Sequence, residues 1–118
     1  MRTGERSIEK PNGDEIAVLY TSRSIANAEK LMGRGILEVL NAFSEGKSGF
    51  SDVAILLQSG MEGARRVLGT GGRRVTQEIA HDLIDEIGFL QVATPVFEAL
   101  AEAISYNSAE SDEDSEKN

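Results

Sequence analysis

At Tyr20-Thr21-Ser22 the spacing of apolar residues changes from two to about 3.6. That switch divides the chain into a short β part and a long helical part. Before it, Arg6 to Lys10 and Glu15 to Tyr20 flank Pro11-Asn12-Gly13-Asp14. This is the pattern of a hairpin, with Asn-Gly expected in a tight primed turn because both residues tolerate positive φ. A free two-stranded hairpin is marginal in water, so Ile8, Ile16, Val18 and Tyr20 need a surface to lie against, and helices are the obvious one.

After the switch, caps and glycines punctuate a series of apolar stripes. Thr21 is placed to cap a helix running to Met32, with Ile25, Ala28 and Met32 on one stripe and Gly33 and Gly35 ending it. Ile36, Leu37, Leu40 and Phe43 form the next stripe, stopped at Ser44-Glu45-Gly46 with Gly46 in the left-handed conformation. Ser51 is expected to cap a third helix, with Asp52 in its first turn and Val53, Leu56, Leu57, Met61, Ala64 and Leu68 on its apolar face. Gly60 and Gly63 either weaken this helix or let another helix approach closely. Thr76 caps a fourth, with Glu78 in its first turn and Ile79, Ala80, Leu83, Ile84 and Ile87 facing inward up to Gly88. The fifth stretch runs from Phe89 to Tyr106, and Thr94-Pro95 either starts a fresh helix or kinks one begun at Phe89. From Ser108 the only apolar residue is Ala109, the composition of a solvated, disordered tail. The expected fold class is α+β, mainly α: one domain over residues 1–107, a hairpin followed by a bundle of about five short helices, and an acidic tail over 108–118.

Composition narrows function mainly by exclusion. With 118 residues the chain is one ordinary domain. It contains no Cys, which removes disulfides, thiolate metal sites and a cysteine nucleophile, and it has one His, His81. Hydrophobic residues make up 40% and aromatic residues only 5%, with no Trp, so the core is expected to be aliphatic. The net charge of −8 divides equally. Residues 1–107 hold 15 acids and 11 bases, and the tail holds Glu110, Asp112, Glu113, Asp114 and Glu116 against Lys117. Such a balance repels a polyphosphate backbone and argues against general nucleic-acid binding. No apolar run reaches the roughly 18 to 20 residues of a membrane span, and no signal-peptide core follows the first residues, so a soluble cytoplasmic protein is expected.

Few residues suggest chemistry. Gly69-Thr70-Gly71-Gly72-Arg73-Arg74 could cradle an anion on glycine amides, but it lacks the Lys-Ser/Thr ending of a P-loop and reads first as a flexible linker. Arg65 and Arg66 could join Arg73 and Arg74 in a basic patch, the plainer alternative being a solvated helix end whose cations suit its C-terminus. His81, Asp82, Asp85 and Glu86 share a helix, an arrangement read as a solvated face before a metal site. No Gly-x-Ser-x-Gly elbow, isolated general acid or calcium loop occurs, so no catalytic residue, metal or cofactor is expected. The stripe Val96, Phe97, Leu100 and Ile104 is either core or, where the bundle leaves it uncovered, a partner-binding surface.

The order of these signals from residue 4 to residue 106 resembles the tail assembly chaperones of long-tailed, siphovirus-type bacteriophages, prophages and gene transfer agents. The family opens on a Gly-Glu … Gly hairpin and a Thr-capped helix, Thr-x-x-x-Leu-x-x-Leu/Ala-Glu-x-x-x-Gly, here Thr21-Ser22-Arg23-Ser24-Ile25-Ala26-Asn27-Ala28-Glu29-Lys30-Leu31-Met32-Gly33. Ile36 to Phe43, Glu45-Gly46-Lys47 and Asp52-Val53-Ala54-Ile55-Leu56-Leu57 are similar to its next helix, Gly loop and Asp-Val/Ile-Ala-x-Leu-Leu helix. Val75-Thr76 to Gly88 and Pro95-Val96-Phe97-Glu98-Ala99-Leu100 are similar to its last two. A Gly/Arg loop follows the third helix where many relatives carry a different short insert.

The resemblance implies a non-catalytic protein of the host cytoplasm, absent from the finished virion. It would bind the tape measure protein, keep it soluble and help recruit tail tube subunits, in many relatives through a frameshifted extension. Self-association is compatible with this reading, and neither nucleic acid nor membrane is expected as a partner. The alternatives are a small structural head-tail connector or helical adaptor of the virion and, against the acidic balance, a DNA-binding regulator using the four arginines.

Overall fold

The computed structural model describes residues 2–69 and 72–117, with side chains described through residue 106. Among the described residues the chain forms an antiparallel hairpin, β1 (Glu5–Glu9) and β2 (Glu15–Leu19), followed by five helices. These are α1 (Ser22–Met32), α2 (Ile36–Ser44), α3 (Phe50–Leu68), α4 (Gln77–Ile87) and α5 (Phe89–Lys117). The architecture is α+β and mainly α, as the change of apolar period implies. The side chains of the acidic tail from Ser108, expected to be solvated and disordered, lie outside the described residues.

β1 and β2 pair in the register Glu5↔Leu19 to Glu9↔Glu15. Their turn departs from the primed geometry expected for Asn-Gly, because only Gly13 has positive φ, at 91°. Pro11 holds φ near −65° at the first corner. The Gly13 N–H then donates to the Lys10 carbonyl at 2.9 Å, and the Lys10 N–H donates to the Asp14 carbonyl at 2.7 Å. The result is a normal-handed turn closed by a glycine bulge. Asn12 Oδ1 supports it by accepting the Asp14 N–H at 3.0 Å.

The hairpin finds its surface on two helices: β2 packs along α3 and β1 against α5. Glu102 of α5 fastens the first strand, accepting the Gly4 N–H at 2.6 Å and two Arg6 guanidinium bonds at 3.2 Å. α3 is the central element, touching β2, α1, α4 and α5, and Val53, Ala54, Ile55, Leu56 and Leu57 are all buried in succession. It is nineteen residues long, so the bundle is not made of short helices throughout.

Local chemistry explains most helix ends. Thr21 caps α1 by accepting the Ser24 N–H at 3.1 Å, and Thr76 caps α4 by accepting the Ile79 N–H at 3.2 Å. α3 begins earlier than expected, at Phe50 with Gly49 as N-cap, so Ser51 lies inside its first turn. The Phe50 ring rests on Phe89 with centroids 4.4 Å apart, and Asp52 pairs with Arg34 from the α1–α2 connection. Both contacts draw the chain into the helix before Ser51. α2 has no side-chain cap of its own; Glu29 of α1 accepts the Ile36 N–H at 2.8 Å in its place. α5 starts at Phe89 and continues through Pro95, which removes one N–H from its ladder without beginning a new helix.

Two inward assignments are corrected by packing. Leu37 is 67% exposed, the buried positions of α2 being Ile36 and Val39. Ile79 is 40% exposed, because α4 turns Ala80, Leu83 and Ile84 to the core.

Gly60 and Gly63 admit the hairpin and the start of α1 rather than a second helix alone. A Cβ on Gly60 would lie 2.6 Å from the Tyr20 ring and 2.9 Å from Val18 Cβ. One on Gly63 would collide with the Leu19 carbonyl oxygen and the Ser24 hydroxyl. Gly63→Ala is therefore expected to cost about 3 kcal/mol or more, against about 1 kcal/mol for Gly13→Ala, whose only penalty is backbone conformation. Urea denaturation of the two variants checks the ranking.

Candidate functional site

Two cavities among the described residues lie along α3. The larger, about 550 Å³, is a groove between α1 and α3, closed at one end by the segment leading into α4. α1 brings Arg23, Asn27 and Lys30 to it, three residues that share one helical face. α3 contributes Gln58, Ser59, Glu62, Arg65 and Arg66, and Arg74 arrives from the connection. Small residues make the groove: Ser24 and Ala28 on α1 and Gly63 on α3 let the two helices meet closely, so their longer side chains rise on either side.

Glu62 organises the α3 wall. Arg65 Nε and Nη2 donate to its Oε2 at 3.0 and 2.8 Å, and the Val75 N–H donates to its Oε1. Burial alone would push the Glu62 carboxyl up. The bonds from Arg65 and Val75 and the charges of Arg65 and Arg74 outweigh it, holding the carboxyl below its ordinary 4.5. Gln58 Nε2 donates to the Val75 carbonyl at 3.2 Å, so both polar groups of the Val75 backbone are held by α3 side chains. Gln58 Oε1 and the Ser59 hydroxyl, the latter on a residue only 1% exposed, are buried without a partner among the described residues.

The four arginines read as one patch are divided between two cavities, with Arg65 lining both. Arg65, Arg66 and Arg74 line the groove, and Arg73 lines the second cavity, about 310 Å³, beside Arg65, Ile16, Ala17 and Met61. Val75 is buried and the residues before it are irregular backbone, and from there Arg74 reaches the groove and Arg73 the second cavity. The sequence reading missed Arg23 and Lys30. Their seven-residue spacing marks a shared face, but nothing local refers that face to an α3 residue some forty positions away.

The stripe Val96, Phe97 and Leu100 is core rather than surface: all three are buried, and Phe97 stacks on Phe43 with ring centroids 4.0 Å apart. Ile104 is half-buried against the same cluster. Apolar exposure lies elsewhere, at Phe50 (58%) and Leu90 (64%), where α3 and α5 begin, and at Leu37 of α2. His81, Asp82, Asp85 and Glu86 are exposed on α4. Among the described residues no three His, Cys, Asp or Glu side chains meet in a way that could hold a metal. No single helix among them is long and apolar enough to cross a membrane.

Comparison of the chain with family models, with curated proteins and with solved structures finds no match.

Because the folded-state Glu62 value is depressed, its contribution to stability is complete above about pH 4.5 and is lost as pH falls through the folded value. Glu62→Gln should lower stability at pH 7 by about 1–2 kcal/mol and flatten the decline in acid. Tm measured from pH 3 to pH 7 on both proteins checks the sign.

Proposed function

We propose that the chain is a non-catalytic tail assembly chaperone that binds the tape measure protein in the host cytoplasm, keeps it soluble and helps bring tail tube subunits to it. The reading rests on the ordered resemblance from residue 4 to residue 106. The observation that supports it best is the exposed apolar pair at the helix starts. Phe50 lies on Phe89, with Leu90 following it, on a body of net negative charge. Large apolar side chains left in water beside one another are the usual mark of a protein contact. A negatively charged carrier keeps the complex of an aggregation-prone helix in solution. On this reading the binding surface is Phe50, Phe89 and Leu90, since the Val96 stripe is buried. An amphipathic helix of the partner would set its apolar face on these rings.

Co-expression with the long coiled-coil-like reading frame expected beside it should bring that protein into the soluble fraction. The Phe50→Asp/Leu90→Asp variant, altered only at exposed positions, should keep a cooperative thermal transition and recover at least about tenfold less of the long protein. Equal recovery by the variant would reject this surface. Stoichiometric amounts of the chain in purified particles would instead make it a structural connector.

A further inference from the structure

Charge is unevenly placed on this protein. Of its twelve basic residues, five line the groove between α1 and α3, against one of its twenty acidic residues. That one acid, Glu62, is already engaged by Arg65 and the Val75 N–H. Arg23, Lys30, Arg66 and Arg74 make no ion pair among the described residues, although the body carries acids enough for each. Like charges collected around one concavity raise its potential and attract a counter-anion into it.

The wall adds a second, independent observation. Ser59 is 1% exposed, lines the groove, and its hydroxyl has no hydrogen-bond partner among the described residues. A buried hydroxyl left unpaired is a cost that a bound acceptor would remove.

The lining also narrows the ligand. It contains no aromatic ring, and Ala26 is its one apolar side chain, so a nucleobase or an apolar peptide face finds nothing to rest on. Arginine forks match phosphate oxygens in pairs. A groove of about 550 Å³ with four cations outside any ion pair among the described residues has room and charge for more than one phosphate group. We infer that the α1–α3 groove binds a compact anion carrying two or more phosphate groups, held by Arg23, Lys30, Arg66 and Arg74, with the Ser59 hydroxyl donating from the wall. The site does not depend on the chaperone reading, and its residues are not those of the Phe50 surface.

Inorganic pyrophosphate is the probe. Calorimetry on the full chain at physiological ionic strength should give saturable one-to-one binding, with Tm raised by about 5 °C at saturation. Sodium sulfate at matched ionic strength should give no comparable rise. Arg23→Gln/Arg66→Gln should weaken pyrophosphate at least about tenfold, and Lys30→Gln by a smaller factor, since each removes a cation from the groove. The control Arg2→Gln/Lys47→Gln, with the same change in net charge at distant exposed positions, should bind as the parent does. All four positions in the double variants are exposed, and circular dichroism confirms folding. Absence of saturable binding, or equal loss in the control, overturns the site. Displacement of pyrophosphate by a short DNA duplex, with affinity falling steeply in salt, overturns the compact-anion assignment in favour of nucleic acid.

Discussion

The end of β2 meets α3 where Gly60 and Gly63 leave no room for a side chain, and much of the remaining packing follows from that contact. Tyr20 lies over Gly60, and its buried hydroxyl donates to the Leu56 carbonyl at 2.6 Å. Burial pushes that phenol's pKa far up, so it stays a neutral donor throughout the ordinary pH range. One turn further along α3, the Leu19 carbonyl and the Ser24 hydroxyl sit where a side chain on Gly63 would have to be. A strand end, a helix start and the switch between them are thus fixed on one helical face by Val18, Leu19, Tyr20 and Ser24. The Tyr20 N–H also donates to the Gly4 carbonyl, and Gly4 in turn is held by Glu102. The same contact therefore sets α1 against α3 and ties the hairpin to α5.

What was legible in the sequence was local. Thr21 and Thr76 cap their helices because a hydroxyl two or three residues before an amide finds it whatever the tertiary structure does. Gly33 and Gly46 close helices for an equally local reason, their positive φ. Facing was less legible. Leu37 and Ile79 satisfy the apolar period as well as their buried neighbours do, and only the position of other elements decides which flank is covered. α3 shows the same limit: its apolar period is readable over its length, but not that Ala54 and Ile55, off that face, are buried as well. The start of α3 was misplaced for a related reason: Ser51 is a good cap in isolation, but the Phe50–Phe89 and Arg34–Asp52 contacts are non-local and prevail.

The candidate groove was half legible. Arg65, Arg66 and Arg74 are close in sequence to the glycine-rich connection and were read with it, whereas Arg23 and Lys30 come from across the α1–α3 contact. That contact exists only because Gly63 lacks a side chain, a fact about two distant segments at once. The glycine in α3 that looks like a weakness of the helix is what brings two sets of cations to one concavity.

Val75 explains why the connection contributes one arginine to the groove and not two. Its side chain is buried, its N–H goes to Glu62 and its carbonyl takes the Gln58 amide, so the backbone is held on both edges by α3. With the chain fixed there, its two preceding side chains leave toward different cavities: Arg74 joins Arg66, and Arg73 joins the strand side of α3. Glu62 then has two consequences from one carboxylate. It neutralises Arg65, which would otherwise add to the repulsion in the groove, and it secures the segment that delivers Arg74. An exposed ion pair is worth little by itself. This one is half-buried and shared with a backbone amide, so removing its charge would disturb the shape of the groove as well as its potential.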